Sequence, residues 1–181
     1  MTAPQPPPFL RVCAVFLLAL ALSGGSARAQ FIWTGSGTLA AAMGSTTVAG
    51  GATLGVTSTS DHDFSATAWV NNGTVNWSGG RLRSGSGGTI VNNAAWNDTA
   101  SGTTSTAINN DYGGPTLTFT NAASGNYTKT GTGQTNFYVP FINHGALALS
   151  EGTINLQGDG SFSSTGTASA AAGTTDRKSV V

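Results

Sequence analysis

The chain has 181 residues, of which 8% are charged, 39% are hydrophobic and 26 are glycine. Residues 30–175 carry six acidic and three basic side chains, a net charge of about −3. This argues against nucleic-acid binding, which requires a basic surface. Intrinsic disorder is also disfavoured, because disordered chains usually have a high net charge. The short alternating apolar runs instead predict many short strands joined by tight turns.

Residues 1–29 have the layout of a secretory signal peptide. Arg11 precedes an apolar run over residues 12–22, and a small-residue site ends at Ala29, so cleavage is expected before Gln30. An uncleaved N-terminal anchor is the alternative, although the apolar run is short for a permanent span. Cys13, the only cysteine, lies here, which predicts a mature chain without disulfides or thiol chemistry. We expect bacterial export to the cell surface or the medium.

Residues 30–67 are expected to form an N-terminal cap or an irregular first rung, because they match the later repeats poorly. They contain the sequence DHDF, in which Asp61 and Asp63 would share one face of a strand while His62 points to the other. The two carboxylates are candidate oxygen ligands for Ca²⁺. The alternative is a solvated loop.

Residues 68–166 contain four similar stretches, which begin at Val70, Val91, Ala122 and Ile142. The steps between them are 21, 31 and 20 residues, and the long step contains an inserted loop, INNDYGGP. The sixth position of every copy is apolar or aromatic, which predicts one inward core column: Val75, Trp96, Tyr127 and Leu147.

The polar positions of the copies also recur. Asparagine holds the second position in three of the four copies, which predicts a ladder of stacked side-chain amides formed by Asn71, Asn92 and Asn143. Glycine recurs where the coil must turn, and the predicted corner residues are Gly73, Gly80, Gly145 and Gly152.

This spacing predicts an all-β fold, a right-handed parallel β-helix (a solenoid). A coil of about 20 residues can return above its start and stack on the next coil at about 4.8 Å, with backbone groups paired between coils. The alternative is an antiparallel β-sandwich, whose strands also recur every 8–12 residues. A sandwich has no reason to repeat the positions of Asn and Gly, so the solenoid is favoured.

The C-terminal end changes composition. Residues 167–175 are expected to be a low-complexity continuation, and residues 176–181, DRKSVV, match the translation of a common sequencing adapter. We therefore expect the natural protein to continue past Thr175 and this chain to be a fragment. A short basic tail is the alternative. Membrane anchoring is expected only through a region beyond this sequence.

The stretches WVNNGTVNWSGGRLRSGSGGTIVNNAAWNDTASG and FINHGALALSEGTINLQGDG resemble the repeats of large bacterial secreted or surface proteins, the β-strand-repeat proteins related to autotransporter passengers. The resemblance covers residues 68–166 and implies an extracellular role as a stalk, adhesin or matrix component. The second and third copies depart from the Gly-Thr theme of the family, so their register is less defined.

Few residues suggest chemistry. Arg81 and Arg83 share a strand face, with Glu151 some rungs away, but a catalytic site would need clustered groups on adjacent rungs. Trp69, Tyr112 and Tyr138 flank turns and are candidate surface contacts for sugars. We expect no enzyme activity and no cofactor, but a structural or adhesin-like segment whose partners are extracellular glycans or cell-surface components. A carbohydrate-binding or carbohydrate-active β-helix is the alternative.

Overall fold

The computed structural model describes residues 28–35, 38–101, 106–157 and 163–178. Residues 1–27 of the predicted signal peptide therefore lie outside the described residues. Within the described ranges, nineteen short strands form three parallel sheets. Sheet A contains seven of them: β1 Gln30–Trp33, β3 Thr53–Val56, β6 Thr74–Trp77, β9 Ala95–Asp98, β12 Asn126–Lys129, β15 Ala146–Leu149 and β18 Thr167–Ala170.

The other two sheets have six strands each. Sheet B consists of β2 Thr47–Val48, β5 Ala68–Asn71, β8 Thr89–Asn92, β11 Thr118–Asn121, β14 Phe141–Asn143 and β17 Ser163–Ser164. Sheet C consists of β4 His62–Asp63, β7 Arg81–Arg83, β10 Thr106–Asn109, β13 Gln134–Phe137, β16 Thr153–Leu156 and β19 Thr175–Lys178.

The chain visits sheets B, A and C in turn and then starts the next coil, which gives a β-solenoid of about six turns. Each strand pairs in parallel with its counterpart in the next coil, as in the register of Val75 with Trp96 and of Trp96 with Tyr127. The predicted parallel β-helix is confirmed. The antiparallel sandwich is wrong, because all strand pairs among the described residues are parallel.

The first coil lies within the segment assigned to the cap or irregular rung. Strands β2, β3 and β4 already pair with β5, β6 and β7. Before them, β1 extends sheet A by one strand. The helix α1, Leu39–Met43, follows β1 and buries Leu39 and Met43 in the core. Its Ala-rich sequence favours a helix, and Gly44, with a φ of +68°, ends it.

The core fills the inside of the coil with columns of side chains, one set from each sheet. Alternation along each strand sends every second residue inward, which the strand burial patterns follow. Sheet B contributes a column in which Trp69, Ile90, Phe119 and Phe141 are in register. The rings of Phe119 and Phe141 stack with their centroids 5.2 Å apart. Such contacts bury large aromatic surfaces between coils and hold neighbouring rungs together.

Within the described residues, no helix is both long enough and apolar enough to cross a membrane.

Candidate functional site

The four-member Asn ladder runs along one inner corner of the solenoid, between sheets B and A. Asn71 donates from Nδ2 to Oδ1 of Asn92 at 2.7 Å, Asn92 donates to Asn121 at 2.8 Å, and Asn121 donates to Asn143 at 2.8 Å. All four side chains are fully buried. The structure thus places the three predicted ladder residues in one column, with Asn121 between Asn92 and Asn143.

Asn121 was missed because its corner is two residues longer than the others. Val75 lies four positions after Asn71, whereas Tyr127 lies six positions after Asn121. Alignment on the aromatic position therefore set Ala123 opposite the asparagines. The register of the strands, which pairs Asn92 with Asn121, shows the true equivalence.

Replacing Asn121 with alanine should lower the free energy of unfolding by about 2–3 kcal/mol, because it leaves buried groups unsatisfied. Asn121 also donates to the carbonyl of Ala146 at 2.9 Å, so Asn92, Asn143 and Ala146 each lose a hydrogen bond. Asn97, which makes an outward bond to Asn76, offers the matched control, with an expected loss below about 1 kcal/mol. Equal losses in chemical denaturation of N121A and N97A would contradict this role of the ladder.

The predicted corner glycines serve two different needs. Gly80 and Gly152 have φ angles of +77° and +74°, the left-handed conformation that favours glycine. Gly73 and Gly145 do not have positive φ. A Cβ at Gly73 would collide with the carbonyl oxygens of Ala49 and Ala52 in the coil below, so close stacking of the coils requires glycine there.

The predicted core column lies inside the solenoid. Val75, Trp96 and Tyr127 have no exposed surface, and Leu147 is 8% exposed because it lies near the last coil. Trp77 also points inward and donates from its indole N–H to the carbonyl of Gly79 at 2.9 Å.

The aromatic residues expected at the surface divide into two groups. Trp69 is fully buried, and the interpretation as a surface contact is wrong, because strand β5 runs up to the turn and alternation directs this ring inward. Tyr112 and Tyr138 are exposed, at 46% and 44% of their surface. They lie beside sheet C, Tyr112 in the loop after β10 and Tyr138 directly after β13.

The outer face of sheet C carries the charged cluster, which consists of Asp61, Asp63, Arg81, Arg83 and Asp111. Arg81 contacts both oxygens of Asp61 at 2.7 Å, and Arg83 contacts both oxygens of Asp63 at 2.8 and 2.9 Å. These are bidentate, charge-assisted pairs that join β7 to β4 and to the residue directly before β4. Arg81 reaches Asp111 as well, at 3.3 Å.

The cluster shifts the pKa values of its members in the directions that ion pairing dictates. The hydrogen bond from Arg81 lowers the pKa of Asp61. Partial burial of Asp63 acts in the opposite sense, but hydrogen bonds from Arg83 and Tyr112 outweigh it and the pKa of Asp63 is also lowered. The guanidinium of Arg83 lies 5.6 Å from the centre of the Tyr112 ring, a cation–π contact at the rim of the cluster.

Asp61, directly before β4, and Asp63, within it, lie on the outer side, while His62 is buried on the inner side, as the alternation predicts. The carboxylates proposed as Ca²⁺ ligands are instead held by the two arginines. No group of three or more metal-ligating His, Cys, Asp or Glu side chains occurs in the ranges that the structure describes. Sequence reasoning placed Arg81 and Arg83 on one face but did not pair them with these aspartates.

His62 occupies the core under this cluster. Its Nε2 atom lies 3.1 Å from the carbonyl oxygen of Trp33, and its ring packs edge-on against the Trp33 indole at 4.9 Å. Burial lowers the pKa of His62, and this outweighs the backbone hydrogen bonds and the nearby Asp61 and Asp63, which raise it.

The pKa of His62 predicts a loss of stability in mild acid. The unfolded chain binds a proton near pH 6.5, whereas the folded chain does so only at lower pH, so the free energy of unfolding should fall as pH drops below about 6.5. One proton accounts for a slope of at most about 1.4 kcal/mol per pH unit. Urea denaturation between pH 7.5 and 5 measures it, with H62Q as the control expected to flatten the slope. If H62Q has the same slope as the wild type, a group other than His62 causes the loss of stability in acid.

The second polar cluster, the Asp98 network, lies inside the solenoid. Asp98 and Lys129 are in register on β9 and β12, both with no exposed side-chain surface, and Lys129 Nζ lies 3.3 Å from Asp98 Oδ1. The hydroxyls of Tyr127 and Thr135 donate to Asp98 Oδ2 at 2.8 and 2.6 Å. The backbone N–H of Ala100 donates to Oδ1 at 3.2 Å.

The network keeps the Tyr127 phenol protonated. Burial raises the pKa of Tyr127 well above its usual range, and the neighbouring Asp98 carboxylate raises it further. Tyr127 is therefore a hydrogen-bond donor at neutral pH. The sequence signal that could have found the network is the two-residue alternation from Trp96 and Tyr127, which directs Asp98 and Lys129 inward.

The charged cluster and the Asp98 network differ in what they can do. The cluster is open to solvent and its charges are paired with each other, whereas the network excludes water and joins two adjacent coils. Glu151 lies exposed after β15, away from both arginines in the coil order. Comparison with family models, with curated proteins and with solved structures found no match to this chain.

Proposed function

We propose that this chain is an exported, non-enzymatic structural or adhesin-like repeat segment of a larger bacterial surface or secreted protein. The observation that carries the proposal is the Asn ladder, with hydrogen bonds of 2.7–2.8 Å that run through four consecutive coils. Together with the stacked aromatic columns it supports a stiff rod in which each coil fixes the next. A rod of this kind suits a spacer or a display scaffold.

The amino-terminal sequence supports the export part of this proposal. A bacterial host that expresses the full chain with a C-terminal tag should yield a processed protein beginning at Gln30 in the periplasm or medium. N-terminal sequencing of the tagged protein measures this. An unprocessed chain confined to the cytosol would contradict the proposed export. It would not bear on the proposed structural role, which rests on the fold.

A carbohydrate-binding surface is the second candidate, and the exposed tyrosines favour it. Tyr112 and Tyr138 lie beside sheet C, where Gln134 is exposed and its side-chain amide donates to Asn136. Aromatic rings flanked by hydrogen-bonding groups suit the flat faces and hydroxyls of sugars. The paired charges of Arg81 and Arg83 favour a neutral glycan over an acidic one.

A glycan array and a reducing-end assay on the purified chain separate the two candidates. A non-enzymatic spacer should release no reducing ends and bind no glycan above background. Specific binding that is lost in Y112A/Y138A but kept in I32A, a control at another exposed apolar side chain, would establish the second candidate. Specific turnover of a polysaccharide would overturn the non-enzymatic proposal.

A further inference from the structure

The Asp98 network brings an amine and a carboxyl group into contact in a place that water does not reach. Lys129 and Asp98 come from adjacent coils and have no exposed side-chain surface, and 3.3 Å separates Nζ from Oδ1. Two reactive groups held in contact inside a fold meet at the high effective concentration that makes intramolecular reactions fast. We propose that Lys129 and Asp98 condense to an amide, which joins the coils of β9 and β12 covalently.

The two oxygens of Asp98 have different surroundings, and these assign them different roles. Oδ1 faces the Lys129 amine, while Oδ2 accepts short hydrogen bonds from the hydroxyls of Tyr127 and Thr135 at 2.8 and 2.6 Å. Donors aimed at one oxygen stabilise the negative charge that develops there when a nucleophile adds to the carboxyl carbon. Oδ2 thus becomes the carbonyl oxygen of the amide, and Oδ1 is the leaving oxygen.

The reaction balances without any added reagent. The Lys129 ammonium transfers one proton to Oδ1, and the neutral amine then adds to Cγ of Asp98, forming the C–N bond while negative charge moves to Oδ2. The Cγ–Oδ1 bond breaks as the charge returns, and the leaving hydroxyl takes a second proton from nitrogen and departs as water. One proton stays on the amide nitrogen. An ammonium and a carboxylate have become an amide and one water molecule.

The fold supplies the driving force that the same groups lack in water. Effective molarities of roughly 10⁵–10⁸ M for well-oriented intramolecular partners lower the barrier to the reaction. The reaction also removes two charges from a site where each is costly to bury. This chemistry depends on the buried pair alone and not on the role proposed above.

Tryptic peptide mapping of the purified, folded chain after full denaturation tests the proposal. Trypsin cuts after lysine and arginine, and residues 84–129 contain no such residue before Lys129, so an unmodified chain gives the peptides 84–129 and 130–177. An amide at Lys129 blocks that cut. We expect one peptide, 84–177, lighter than the sum of its residues by one water molecule. Recovery of 84–129 at its unmodified mass in full yield, or of 84–177 without the loss of water, would overturn the proposal.

Two variants make the reading of this map unambiguous. K129R keeps a cation at the position but offers a guanidinium that does not form the amide, and D98A removes the carboxyl carbon. Both should be cut after residue 129 as readily as after Arg83.

Y127F removes one donor to Oδ2 and should slow amide formation by about 10²–10³-fold, seen as unlinked peptide 84–129 in fresh protein. Full linkage in fresh Y127F would remove Tyr127 from the mechanism.

Discussion

Replacing Lys129 with methionine should lower the free energy of unfolding by about 3–5 kcal/mol, among the larger effects of a single substitution in this chain. Methionine matches the length of the lysine stem, so packing changes little. The Asp98 carboxylate, however, stays buried with no opposite charge, although the hydroxyls of Tyr127 and Thr135 still donate to it. Denaturant unfolding monitored by fluorescence of the buried tryptophans measures the loss.

The double variant D98N/K129M provides the control for this prediction. The asparagine introduced at position 98 keeps an oxygen acceptor for the two hydroxyls and carries no charge, so the double variant should be more stable than K129M by about 2 kcal/mol. This ranking holds whether the wild-type pair is ionic or joined by an amide, because both variants lack the lysine. If K129M and D98N/K129M are equally unstable, an unpaired charge is not the source of the loss.

Replacing Gly145 with alanine should cost about 3 kcal/mol or more, because overpacking here meets backbone and not a flexible side chain. A Cβ at Gly145 would collide with the carbonyl oxygens of Gly125 and Ala122 in the coil below. The coils would have to separate, and the hydrogen bond from the Ala146 N–H to the Gly125 carbonyl, 2.9 Å long, would be lost with them.

Gly50 is the matched control for Gly145. Its added Cβ would lie 3.8 Å from its nearest neighbour, the carbonyl oxygen of Asn72, which is ordinary contact. The substitution G50A should change the free energy of unfolding by no more than about 0.5 kcal/mol. Thermal and urea unfolding of both variants give the comparison, and a mild effect in G145A would show that the coil spacing is less rigid than the contacts imply.

The repeated positions of Asn and Gly predicted the parallel β-helix, because only stacked coils require the same residue type at the same corner. The same spacing located Asn71, Asn92 and Asn143. It failed at Asn121, where two added residues in the corner move the asparagine out of alignment without moving it out of the column. Where a loop contains extra residues, positions that are equivalent in space no longer have equal spacing in the sequence.

The orientation of individual side chains was predicted less well than the repeat spacing. Trp69 was placed at the surface because it flanks a turn, although its position in the alternation of β5 directs it inward. Asp98 and Lys129 were not predicted to pair, although the same alternation in β9 and β12 directs both inward. Their burial depends on each other and on Tyr127 and Thr135, and such mutual compensation among distant residues cannot be read from local composition.

The Asn ladder also gives the rod a direction. Asn71, Asn92 and Asn121 each donate the side-chain N–H to the next asparagine toward the C-terminal end, so their side-chain dipoles point the same way. Genetic duplication of one complete coil would preserve this vectorial order and lengthen the rod by a single rung. An insertion of one residue within a strand would instead exchange its inner and outer faces. The complete coil is therefore the unit by which such a protein can change length without losing its interior.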